Sequence, residues 1–398
     1  MLGFWRETSR RRWAFVIWAV ILVVIGARLL HSPRANGVYP IFSNAGRQWA
    51  AGQSVYGQSG VVVDVFRYSP PAAAFFAPWA LLPDQWGGLI WRGLSAAVFL
   101  GGLAAWCRWQ QPARSFATVS LLVLPLAVGG LNNGQCNALI IGSLLLAQVA
   151  FAREFWTAAA MLVIIPALFK GYPLSFGMLL CLIGPRRFAP RLAVCLLVMA
   201  AVPYLFQRAD YVTAQYGDFW WQLGVDDRTD MGAHGYRDLQ MLAIRAGVPM
   251  SLATYRLTEA ALGLACAAAV LAGRRRGWDK DTTLSASLSL ALCWMTLAGP
   301  ATESTTYVLI SPLLAMAVLT IADRPPWQKC TVGASFVLFV VAACVVWFPG
   351  SFAKPIQATG IQPFAALLLT IHVLAECWRA GLRRTAAREI GAVTQLAA

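Results

Sequence analysis

Charged and amide side chains set between apolar runs are costly unless they pair or bind something, so any chemistry is sought there first. Gly299-Pro300-Ala301-Thr302-Glu303-Ser304-Thr305-Thr306-Tyr307 brings one carboxylate to the junction of two apolar stretches. Glu303 there either takes protons or makes a structural hydrogen bond to a neighbouring helix. Phe169-Lys170-Gly171-Tyr172-Pro173 sets one ammonium at membrane depth. It either snorkels to the interface or meets a lipid phosphate. Leu131-Asn132-Asn133-Gly134-Gln135-Cys136-Asn137 gathers three asparagines and a glutamine. Amides cap helix ends, yet Gln135 and Asn137 open an apolar run, where an unpartnered amide is expensive.

Two longer polar stretches add further groups. Val63-Asp64-Val65-Phe66-Arg67-Tyr68-Ser69-Pro70-Pro71 places an acid, a cation and aromatics before an apolar segment broken by prolines 70, 71, 78 and 83. As a surface pair, Asp64 and Arg67 are worth only ~0–1 kcal/mol. The second stretch holds His234-Gly235-Tyr236-Arg237-Asp238-Leu239-Gln240. The preceding Asp226-Asp227-Arg228-Thr229-Asp230 reads as a solvated loop rather than a metal site. No H-E-x-x-H, G-x-S-x-G, P-loop or G-x-G-x-x-G context points to hydrolase, kinase or dinucleotide chemistry. Neither a metal nor a cofactor is expected.

The elements that position these groups follow from composition. Of 398 residues 59% are hydrophobic and 12% charged, against ~25% charged in a soluble domain. Such a chain needs the bilayer as solvent, and a span takes ~20 mainly apolar residues. Helices are expected at about 13–30, 87–107, 115–130, 136–152, 155–169, 172–184, 189–206, 251–272, 282–299, 305–322, 331–348 and 362–378. The fold class is therefore all-α and polytopic, with about 12 transmembrane helices (range 10–13) in a single membrane domain over residues 1–398. The net charge of +15 resides in short basic clusters between apolar runs, the pattern of a topology signal rather than of nucleic-acid binding. Alternate connections carry Arg6–Arg12, Arg108 and Arg114, Arg153, Arg186–Arg191, Arg274–Lys280, Arg324 and Lys329, and Arg379–Arg388. The positive-inside rule places that side, and both termini, in the cytoplasm. The opposite side receives two long extracytoplasmic loops, 31–86 with interfacial helices and 207–250, together with the three polar turns.

The cysteines sit mostly in apolar runs as small fillers (Cys136, Cys181, Cys195, Cys266, Cys293, Cys344, Cys377), with no C-x-x-C, so neither disulfide nor zinc is indicated. The N-terminal apolar stretch ends in Arg28, His31 and Pro33 without a small-x-small cleavage site and reads as a retained helix.

These pieces in this order resemble the GT-C membrane glycosyltransferases of family 87, the polyprenyl-phosphate-mannose-dependent mannosyltransferases. Ala45–Tyr56 (AGRQWAAGQSVY) looks like the family's A-x(n)-G-x-x-x-Y stretch, and Phe66–Pro83 like its Y-x-P-x(n)-P-x-x-x-L-P segment. Asn133–Asn137 (NGQCN) is similar to its N-G-Q-x-N turn, Lys170–Pro173 (KGYP) to its K-x-x-P turn, and Gly299–Pro312 to its penultimate outer turn. The likeness covers roughly residues 10 to 320. Two departures stand out. Where the family carries an early first-loop acid this chain reads Gly37-Val38-Tyr39-Pro40-Ile41-Phe42, and Thr306 precedes Tyr307 where the family has histidine.

The resemblance implies inverting transfer of a hexose, mannose by analogy, from a polyprenyl-phosphate donor to a glycan or glycolipid acceptor at the outer face of the inner membrane. It implies Asp64 or Glu303 as base, and Lys170, Arg67, Arg237 and Tyr172 at the donor phosphate and lipid. Asn133, Gln135, Asn137, His234 and Tyr307 would meet the sugar or acceptor. Membrane lipids are the remaining partners, and nucleic acid is not one. The alternative is a transporter or flippase of lipid-linked glycans, or an inactive scaffold, in which Arg92 and Glu259 near the spans would matter instead.

Overall fold

The structure, a computed structural model, describes residues 2–32, 37–56, 65–110, 113–225, 237–248, 250–299, 302–345, 348–357 and 359–396. Among them the regular structure is wholly helical, which is what lipid demands of a backbone that must pair its polar groups internally. In chain order the helices are α1 (Leu2–His31), α2 (Tyr39–Ala50), α3 (Pro70–Phe76), α4 (Asp84–Trp109), α5 (Phe116–Asn133) and α6 (Asn137–Ala152). Then come α7 (Trp156–Phe169), α8 (Leu174–Ile183), α9 (Ala189–Ala201), α10 (Ala209–Val225), α11 (Leu239–Arg245) and α12 (Leu252–Arg275). The last are α13 (Lys280–Leu297), α14 (Ser311–Thr320), α15 (Pro326–Val345), α16 (Gly350–Gln357) and α17 (Ile361–Leu396).

This is an all-α polytopic membrane protein. Each of the twelve apolar runs read from the sequence is helical, and seven described segments are long and apolar enough to cross a membrane. They are Ser9–His31, Asp84–Trp109, Phe116–Asn133, Leu252–Arg275, Ser304–Asp323, Pro326–Val345 and Ile361–Ala380. The helices α6, α7, α8 and the Ala189–Leu205 segment are apolar but shorter. With 10 residues, α8 rises only about 15 Å, half of a hydrocarbon core. The proline-rich stretch is broken as its prolines require. Pro70 and Pro71 open α3 behind an extended Ser69, and a 3-10 helix at Trp79–Leu81 precedes Pro83 and α4.

Two compact units are distinguishable. The first comprises Met1–Ala150, Trp156–Leu174 and Pro190–Asp227. An aromatic core knits it together: Phe42 of α2 stacks on Phe76 of α3 at 4.7 Å, Trp91 of α4 meets Phe76 edge-on at 5.1 Å, and Phe169 lies 5.6 Å from Trp91. Such pairs add ~0.5–1.5 kcal/mol each beyond their buried area. The backbones of α4 and α6 touch at Gly102 and Gly142, where a Cβ on Gly102 would stand 2.3 Å from the Gly142 carbonyl oxygen. Small residues permit that approach in place of a hydrophobic drive between helices. On another side α10 braces the chain after α2, with Gln215 Oε1 accepting from Val55 N at 2.9 Å and Tyr211 packed on Trp49.

The second unit comprises Phe151–Phe155, Ser175–Ala189 and Arg228–Ala398. Here α13 packs on α12 and α17, and α17 on α15. Trp294 Nε1 donates to the Glu259 carbonyl at 2.8 Å, and Ser335 Oγ to that of Ala365 at 2.8 Å. Side-chain caps start α12 (Ser251 accepting from Thr254 N at 3.1 Å) and α13 (Asp279 from Thr282 N at 2.7 Å).

Candidate active site

In the first unit the polar turn Leu131–Asn137 closes α5, whose chain reverses at Gly134 in the left-handed region (φ 74°). The last four carbonyls of a helix have no partner within it. Here the turn's own amides meet part of that need, Gly134 N donating to the Leu131 oxygen at 3.2 Å and Gln135 N to that of Gly130 at 3.0 Å, and other segments supply the rest. Arg92, buried in α4, donates from Nε to the Leu131 oxygen at 3.0 Å and from Nη2 to that of Asn132 at 2.9 Å. Val38 N donates to the Asn133 oxygen at 2.9 Å, and Trp91 Nε1 to that of Gly134 at 2.8 Å. Arg28 reaches in from α1 to the Asn132 amide oxygen at 3.0 Å. Gly37 sits so tightly on Asn133 that a Cβ there would fall 2.1 Å from Asn133 Oδ1, and its φ of +62° favours glycine independently.

Asn137 is fully buried and its Oδ1 accepts from the Tyr172 hydroxyl at 3.1 Å. Lys170 stands at the C-terminal end of α7, and its Nζ lies 5.8 Å from the centre of the Tyr172 ring. That Nζ is enclosed and has no hydrogen-bond partner among the described residues. The negative end of the α7 dipole and the Tyr172 ring face favour a cation here, but neither replaces a counter-ion. Ser69, just before α3, holds the neighbouring Leu168 carbonyl at 2.6 Å, which fixes where α7 ends.

Elsewhere in this unit Asp84 at the start of α4 accepts from Ser43 Oγ at 2.9 Å and from Arg47 at 3.0 Å. Burial, then the Asp84 charge, pushes the adjacent Tyr39 phenol up to about 12. Arg67 donates to the Val65 carbonyl within its own segment at 3.2 Å.

The second unit assembles a different cluster. Arg237 N donates to the Thr302 carbonyl at 2.7 Å, and the Tyr307 hydroxyl donates to the Arg237 carbonyl at 2.6 Å. Both Arg237 and Tyr307 are buried. Thr302 Oγ1 closes its own turn on the Met295 and Gly299 carbonyls, each at 3.2 Å. Glu303 and Thr306 form a reciprocal capping box on the 3-10 helix Ser304–Ile310, with Glu303 N donating to Thr306 Oγ1 at 3.1 Å. Asp238 caps α11, its Oδ1 accepting from Met241 N at 3.1 Å, and its carboxyl also takes a side-chain hydrogen bond from Tyr255. Burial pushes the Asp238 carboxyl up to about 6 and lowers Arg237 from its ordinary range.

The structure thus joins Asn137, Tyr172 and Lys170 in one unit, and Arg237 and Tyr307 in the other. Glu303 neighbours the second cluster but is engaged in a cap. Asn133 packs on Gly37, and Gln135 is buried in the same turn. Asp64 and His234 lie outside the described residues. Sequence reasoning assigned no site role to Asp238, and gave Arg92 one only in the transporter alternative. An aspartate directly before an apolar helical run is an N-cap signal, and an arginine inside an apolar run is a functional signal by default. Both cues were present.

The sequence matches glycosyltransferase family 87 over residues 66–312, more than half of the chain. No curated protein matches it. Among solved structures, ArnT from Cupriavidus metallidurans bound to undecaprenyl phosphate is similar over 91% of this chain and 77% of its own, at 14% identity and a TM-score of 0.48. The apo state of ArnT is similar over the same shares at 13% identity and a TM-score of 0.45.

Proposed function

The chain belongs to glycosyltransferase family 87, and from that premise we propose that it transfers a hexose, mannose first among candidates, from a polyprenyl-phosphate donor to a glycan or lipid-linked acceptor. The reaction inverts the anomeric carbon and takes place at the extracytoplasmic face of the inner membrane, the side opposite the arginine-rich connections.

The observation that carries the reading is the enclosed, unpartnered ammonium of Lys170. A desolvated cation is costly until an anion reaches it. A polyprenyl-phosphate sugar supplies that anion on an apolar tail suited to a membrane-embedded chain. Its phosphodiester carries one negative charge, and the departing polyprenyl phosphate gains a second. Lys170 therefore binds the transition state more strongly than the ground state. Tyr172 orients Lys170 through its ring, while its hydroxyl is held by Asn137. Arg67 and Arg237 are further phosphate candidates, and Asn133, Gln135 and Tyr307 are assigned to sugar or acceptor hydroxyls.

The test is transfer from radiolabelled polyprenyl-phosphate mannose by the purified wild type and Lys170→Gln. The variant is expected to lose roughly 10- to 100-fold in kcat/KM, the value of a charge-assisted contact, without a lower melting temperature. A wild type that transfers sugar from no polyprenyl-phosphate donor sinks the reading.

A further inference from the structure

The second unit holds a polar cluster that the proposed transfer leaves unused. It lies where the candidate span Pro326–Val345 begins and Ile361–Ala380 ends. Glu376 of α17 accepts from Arg324 Nη2 at 2.5 Å and from Arg379 Nη1 at 3.1 Å. Gln328 of α15 donates to the same carboxylate from Nε2 at 3.4 Å. His372, one turn before Glu376, faces Glu376, Arg324 and Arg379. Two guanidinium groups thus share one carboxylate, and one positive charge is in excess. Gln328 and His372 are buried, and Arg324 Nε, Gln328 Oε1 and His372 Nδ1 have no hydrogen-bond partner among the described residues. Nothing behind the cluster therefore compensates the excess charge, although buried charges and polar atoms are normally paired. The side chains of Arg324, Glu376 and Arg379 keep 18%, 30% and 28% of their surface exposed, so the cluster opens outward and a counter-charge can enter from that side.

We propose that this cluster is a binding site for the headgroup phosphate of an anionic phospholipid, bridging the open edges of Arg324 and Arg379. Guanidinium groups suit a phosphate because their fixed fork matches its oxygens. The surroundings point to a lipid as the source. Trp327 and Trp378 flank the cluster and are exposed, and tryptophan concentrates at the depth of the headgroups. Arg276, 5.7 Å from the centre of the Trp378 ring, extends the basic rim. Arg324 belongs to one of the arginine-rich connections, which the positive-inside rule sets against the cytoplasmic leaflet. Basic pockets between spans on that side are where anionic headgroups bind.

The test uses the full chain in nanodiscs of phosphatidylcholine with a minor share of phosphatidylglycerol, and native mass spectrometry counts the lipids that stay bound. Wild type is expected to retain phosphatidylglycerol well above its share. Arg379→Gln keeps the Arg324–Glu376 pair and removes the excess charge. Its retention is expected to fall roughly fivefold, the value of one basic residue at a membrane surface, with the melting temperature in phosphatidylcholine held. Glu376→Gln does the reverse: it lowers the melting temperature in phosphatidylcholine, retains more phosphatidylglycerol, and regains stability when that lipid is present. Lys329→Gln, an exposed lysine of the same connection, is expected to retain lipid as wild type does. Absence of phosphatidylglycerol enrichment in wild type overturns the proposal. An equal loss in Lys329→Gln does so too, because the attraction is then a diffuse surface effect. Variants that lower the melting temperature without shifting lipid preference make the cluster a purely structural pairing and overturn it as well. Inorganic phosphate that stabilises the detergent-solubilised wild type as well as phosphatidylglycerol does assigns the site to a soluble anion and overturns the lipid.

Discussion

The turns at Leu131–Asn137 and Thr302–Tyr307 present the same problem, a polar connection at the end of apolar helices, and divide its solution differently between local and distant side chains. At the first, the turn's own Gly134 and Gln135 amides serve the Leu131 and Gly130 carbonyls, while Arg92 and the Val38 amide bring donors from distant segments to those of Leu131, Asn132 and Asn133. One of its side-chain amides, that of Asn137, accepts from Tyr172 beside Lys170. At the second, the turn caps itself with Thr302, Glu303 and Thr306. On the segment bonded to that turn, Asp238 caps α11 and is met by Tyr255. How a polar side chain is used therefore depends on which groups meet the backbone's demands around it.

The largest test of this contrast is Arg92→Met. It fills similar space but withdraws charged donors from the Leu131 and Asn132 carbonyls, so a loss of roughly 4 kcal/mol is expected, read as a lower melting temperature in detergent. An unchanged melting temperature would mean that the turn holds itself, and the contrast would collapse.

A smaller effect tests the other side through pH. The Asp238 carboxyl is raised in the folded chain to about 6 from its ordinary 3.8, so the folded state binds that proton more tightly. Its stabilising contribution is complete below 3.8 and is lost as pH rises through 6, on the order of 3 kcal/mol across that window. The difference in melting temperature between wild type and Asp238→Asn should change over that interval and stay constant above it. A constant offset at every pH would show that Asp238 is not held in the enclosure described.

The smallest expected effect is that of Thr306→Val, which breaks the capping box and should cost about 1 kcal/mol with transfer rates kept within about twofold. Abolished transfer at an unchanged melting temperature would return Glu303 to the chemistry and sharpen the contrast from the other direction.

The sequence by itself was enough for the architecture. The apolar runs became helical among the described residues because in lipid a backbone can satisfy itself only within its own segment, so local composition dictates local structure. The break between α3 and α4 was equally legible, since proline acts on its own neighbours. The polar turns were legible as places, and the Asn137–Tyr172–Lys170 grouping follows motifs visible in the chain. What each polar group does was decided by tertiary structure alone. Glu303 and Asp238 are both carboxylates at the start of short helices, and no spacing rule separates them. One is met by Thr306 three residues on, while the other caps α11 and is also met by Tyr255, which comes from α12. Likewise Arg92 lies about 40 residues from the carbonyls it serves. Hydrogen-bond satisfaction and desolvation depend on which atoms surround a group in space, and spacing along the chain does not record that.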